Sequence, residues 1–140
     1  MSFLNKSLAQ GQNNSLTLLN NGSFSHKGPW IQAYENSLLD RWHVGDFSAA
    51  EYTIFADLDT GNKEVIKALV VATVDEASIV IYARNNTIQD LIEVSASVNS
   101  SYVDVTIDPA AAGDSGVSPR GAKVIYTAHY FYTQNPPAVV

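Results

Sequence analysis

The sequence predicts an all-β protein, an antiparallel β-sandwich (jelly-roll-like) of about seven or eight strands behind an extended N-terminal arm. Three observations carry this. From Ala50 onward, apolar and polar residues alternate with period two. Gly, Asn, Asp and Pro punctuate the alternating segments at regular spacing. No helical pattern separates one strand from the next, so the crossovers that a parallel sheet needs are missing.

The elements follow in order. Met1 to Gly28 is dense in Asn, Ser, Gln and Gly, which cannot repay the entropy of ordering by their own burial. It carries spaced apolar residues, Phe3, Leu4, Leu16, Leu18, Leu19 and Phe24. That pattern suits an arm, residues 1–28, laid along a partner; the alternatives are a disordered tail or one edge strand at Leu16 to Leu19. Residues 29–140 form the sandwich domain. Pro29 to Tyr34 reads as an extended lead-in. Glu35 to Arg41 fits one helical turn, with Leu38, Leu39 and Trp42 on one side, and equally a loop into a strand at Arg41 to Val44.

Ala50 to Leu58 alternates Tyr52, Ile54, Ala56 and Leu58 against Glu51, Thr53, Phe55 and Asp57, the pattern of a half-buried strand. Asp59-Thr-Gly-Asn62 supplies residues that tolerate positive φ in a hairpin turn. Lys63 to Val74 is rich in β-branched residues and reads as a strand buried on both faces. Ala77 to Arg84, Leu91 to Val98 and Tyr102 to Ile107 are further strands. Ala110 to Gly121, with three Gly and a Pro, is a long loop, and Ala122 to Thr133 is a long aromatic strand.

Charge and composition exclude several function classes. There is no cysteine, which removes disulfide frameworks, thiolate metal sites and cysteine nucleophiles. A net charge of -6 opposes nucleic-acid binding. No apolar run approaches the roughly 20 residues of a membrane span, and Met1 to Lys6 lacks the features of a signal peptide, so neither membrane nor secretion is expected. His26, His43 and His129 form no metal-ligand spacing. The run Asp57 to Glu64 has its Gly and Glu too early for a calcium loop. Asp104, Asp108 and Glu93 show no paired arrangement in a cleft, and Asp114-Ser-Gly116 is not a nucleophile elbow. The expectation is therefore no enzyme, no cofactor and no metal.

Aromatic residues are the unusual feature. Tyr126, Tyr130 and Tyr132 share one side of the last strand, and Trp30, Tyr34, Trp42 and Phe47 precede the sandwich. A tyrosine row packs a core, forms an interface or stacks a sugar. Trp30 and Tyr34 join the arm as expected partner contacts.

The segments Trp42-His-Val-Gly-Asp-Phe-Ser-Ala-Ala-Glu-Tyr-Thr-Ile54, Asn62 to Ala72, Ser78 to Arg84 and Gly121 to Pro136 resemble virion structural proteins of marine contractile-tailed phages that infect cyanobacteria. The resemblance spans about Trp30 to Pro136 and brings no active-site residues. It implies a particle component, assembled in the host cytoplasm, that contacts other virion proteins and copies of itself. Head decoration, bridging neighbouring capsid subunits, is the first expectation. A tail or fibre surface component, including a carbohydrate-binding module for host attachment, is the alternative.

Overall fold

The computed structural model describes residues 15–18, 23–27, 30–113 and 116–134. Ten strands are present among them: β1 Ser15–Leu18, β2 Ser23–Lys27, β3 Ile31–Gln32, β4 Ser37–His43, β5 Phe47–Asp59, β6 Asn62–Ala72, β7 Ala77–Asn86, β8 Ile92–Asn99, β9 Tyr102–Pro109 and β10 Lys123–Tyr132. All pairings are antiparallel, and the chain is a β-sandwich. The large sheet runs β1-β2-β10-β5-β6-β7, with β3 also on β10; the small sheet runs β4-β9-β8.

The period of two sets which side chains enter the core. Tyr52, Ile54 and Ala56 of β5, Ile66, Ala68 and Val70 of β6, and Val124, Tyr126, Ala128 and Tyr130 of β10 point inward. They meet Leu39, Trp42, Ile92, Val103, Val105 and Ile107 of the small sheet. Two expectations are settled or corrected here. Glu35 to Arg41 is not a helical turn, because β4 pairs with β9 from Ser37 to His43. Strand β6 is not buried on both faces: its even residues are buried, while Val65, Lys67, Leu69 and Val71 are exposed. β-branching identified the strand but not its covering, because the small sheet covers one face only.

Of the four register shifts in the strand pairings of the described residues, two turn a charged residue inward. In β4 the register shifts between Leu38 and Asp40, and both Leu39 and Asp40 are buried. In β7 the partners of Lys67 and Ala68 are Ala83 and Ile81, so Tyr82 is the extra residue. Beyond it Arg84 turns inward. Each bulge re-aims a charged side chain into the molecule.

The inward charges tie the sheets together. Glu64 of β6, 1% exposed, accepts hydrogen bonds at Oε1 from the backbone N–H groups of Leu91 (2.9 Å) and Ile92 (3.2 Å). Its Oε2 accepts from Arg84 Nη1 at 2.8 Å, and Arg84 also donates to the Ile92 carbonyl at 3.2 Å. One buried ion pair thus fastens β6 and β7 to the start of β8.

Candidate functional site

The cross-strand register arranges the outer face of the large sheet in rows. At one end stand Phe131, Ala49, Val71 and Ser78, then His129, Glu51, Leu69 and Val80. Val71 is 57% exposed, Val80 54% and Phe131 50%, and with Leu69 they line an open apolar groove of about 370 Å³. A middle row of Thr127, Thr53 and Lys67 is polar. The next row is Ile125, Phe55 and Val65, followed by Gln32, Lys123, Asp57 and Lys63. Trp30 packs edge to face on Phe55, with ring centroids 5.9 Å apart. Trp30, Ile31, Gln32, Asp57 and Lys123 line a second open hollow of about 530 Å³. The outer face of the small sheet is polar by contrast, with Glu93, Ser95, Ser97, Asp104 and Thr106 outward and Arg41 bonded to Asp104 at 2.6 Å.

The expected tyrosine row lies elsewhere. Tyr126 (3% exposed) and Tyr130 (0%) point into the core, so neither offers a face to a ligand or partner; this corrects the interface and sugar readings in favour of packing. Even positions of β10 face the small sheet, and Tyr132 stacks on Phe47 at the rim. Asp40 Oδ2 accepts from the hydroxyls of Tyr52 (2.7 Å) and Tyr130 (2.6 Å), and Trp42 Nε1 donates to the Tyr52 oxygen (2.9 Å). This network joins β4 to β5 and β10 across the core.

Burial, and then the charge of nearby Asp40, pushes the phenols of Tyr52, Tyr126 and Tyr130 well above their ordinary value of 10.0. A raised folded pKa gives stability that is full below the unfolded value and lost as pH rises past it. The fold is therefore expected to lose stability progressively above about pH 10. Absorbance at 295 nm recorded with circular dichroism checks this. The three core phenols should ionise only as the sheet signal collapses; ionisation of all seven tyrosines while the sheet signal persists would refute it.

The expected partner contacts divide. Tyr34, 38% exposed, lies under the Arg120 guanidinium (4.6 Å to the ring centre) and beside Gly121, whose φ of 88° holds the loop close to the ring. Trp30 is 49% exposed. Leu16 and Leu18 fall in β1 and Phe24 in β2, where β2 pairs with β10 from Ser23 to Lys27. Phe3, Leu4 and Leu19 lie outside the described residues. Among the described residues no group of three or more His, Cys, Asp or Glu side chains could hold a metal ion, and no helix is long and apolar enough to cross a membrane.

No protein-family model matches the chain, and no curated protein does. Two solved structures that match are phage tailspike proteins. One is the Acinetobacter baumannii phage AM24 tailspike, with 12% identity over 89% of this chain and 26% of that one, at a TM-score of 0.42. The other is tailspike gp49 of the Acinetobacter baumannii phage Fri1, with 14% identity over 85% of this chain and 20% of that one, at 0.43. The chain thus spans about a quarter and a fifth of the tailspikes it matches, and likeness at this level carries no argument by itself. The Fri1 protein is described as a capsular polysaccharide depolymerase; that description stands against the expectation of no enzyme, which is not carried further.

Proposed function

We propose that this chain is a surface component of a phage tail or fibre that assembles with copies of itself through the outer face of its large sheet. The observation that carries the reading is the apolar end of that face beside the edge strand β7. Strand β7 ends the sheet order, runs ten residues without proline, and has one charged residue, Arg84, which turns inward. A bulge and an inward charge guard a sheet edge, and here both lie at Tyr82 to Arg84; Ala77 to Ile81, beside the apolar cluster, has neither. A second copy paired antiparallel on β7 continues the sheet and brings two Leu69, Val71 and Val80 clusters together in an isologous contact. The sequence resemblance over Trp30 to Pro136 supports a virion role.

Two measurements test this. The chain should be multimeric by light scattering, and a Leu69→Glu/Val80→Glu variant should be monomeric with an unchanged circular dichroism spectrum; a monomeric wild type at high micromolar concentration ends the assembly reading. Antibodies against the chain should label the tails of intact particles, and labelling of heads restores decoration.

A further inference from the structure

The other end of the same face has a different chemistry. We propose that Trp30, Gln32, Lys123 and Asp57 form a binding site for an acidic sugar, a pyranose carrying a carboxylate within an anionic polysaccharide. The polar row Gln32, Lys123, Asp57 and Lys63 lies two residues along the strands from the row of Phe55, which is about 6.6 Å at ~3.3 Å per residue. Trp30 is held against Phe55 yet remains half exposed. The face of an aromatic ring is electron-rich and attracts the slightly positive C–H groups of a sugar ring. A pyranose seated on the indole places its hydroxyls over the polar row, one strand spacing apart. The hollow of about 530 Å³ lies within the size range of small-ligand sites.

The preference for an acid comes from the charges. Asp57 already accepts from Lys63 Nζ at 2.9 Å. Lys123 has no hydrogen bond or ion pair among the described residues, although it is the register partner of both Gln32 and Asp57. The row therefore keeps one uncompensated cation on a chain whose net charge is -6. A ligand carboxylate is the group that pairs with it, while Gln32 and the second oxygen of Asp57 serve hydroxyls. None of these residues belongs to the Leu69, Val80 and Phe131 cluster, and the polar row of Thr127, Thr53 and Lys67 separates the two ends. The sugar site therefore stands whether or not copies associate.

The test is titration of the isotope-labelled chain with a glucuronate oligosaccharide and with a neutral glucose oligosaccharide, followed by amide shifts and tryptophan fluorescence. The acidic oligosaccharide should bind, with shifts confined to Gln32, Asp57, Lys123 and Trp30. Trp30→Ala should weaken it about tenfold or more, and Lys123→Gln about fivefold, both with unchanged thermal unfolding. The same titration on the Leu69→Glu/Val80→Glu variant should give the same affinity, which separates this site from the assembly face. Equal binding of the neutral sugar, binding indifferent to Trp30→Ala, or no binding at millimolar sugar overturns the proposal.

Discussion

Asp40→Ala should destabilise the protein by about 3–5 kcal/mol, among the largest effects of any single truncation. The side chain is 4% exposed and its Oδ2 holds two phenols that have no water to turn to. Removing it leaves the Tyr52 and Tyr130 hydroxyls buried between the sheets, each costing about 1–3 kcal/mol, and opens a void beside Trp42. Asp40→Asn keeps an acceptor oxygen in place and should cost less than half as much. Urea denaturation of both variants, with Tyr52→Phe and the double variant closing a cycle, measures the coupling. A loss below about 1 kcal/mol for Asp40→Ala would show that the phenols find other partners.

Glu64→Ala should cost a comparable amount, about 3–5 kcal/mol, for a different reason. Here one carboxylate satisfies two backbone donors and a guanidinium at once. Its loss strands the Leu91 and Ile92 N–H groups and leaves Arg84 half-buried, held by the Ile92 carbonyl (3.2 Å) and by the more exposed carboxylates of Asp90 (3.5 Å) and Glu93 (3.9 Å). Hydrogen exchange should report this locally. The amides of Leu91 and Ile92 should lose protection in the variant more than those of Val103 and Val105, which lie in the middle of the small sheet. Uniform loss of protection would mean that the clamp has no local role.

The fold class and most strands were legible in the sequence because each strand buries one face and shows it in the alternation of its side chains. Tyr52, Ile54 and Ala56 were placed correctly for that reason. The period-two signal is blind to two things. It cannot tell an exposed apolar face from a buried one, so Val65, Leu69 and Val71 read as core although nothing among the described residues covers them. It also loses phase at a bulge, so Asp40 and Arg84, the two charged residues re-aimed inward by one, gave no warning of their burial. The tyrosines of β10 were seen as a row, but whether a row faces in or out depends on the opposite sheet. Trp30 stands out in the sequence as an expected partner contact, whereas the polar row beside it depends on β3 and β5 flanking β10, a long-range pairing with no local trace.

The bulges at Leu39 and Tyr82 mark places where a strand can lose one residue without losing its register, although composition gives no hint of it. Excising either one joins residues already paired to consecutive partners, so Asp40 and Arg84 keep their facing, whereas a deletion elsewhere in β4 or β7 rotates everything on one side of it by half a period. Asp40 or Arg84 would then swing out to solvent, and an apolar neighbour would take its place. Tolerated length changes should therefore collect between β9 and β10 and, within β4 and β7, at Leu39 and Tyr82 alone.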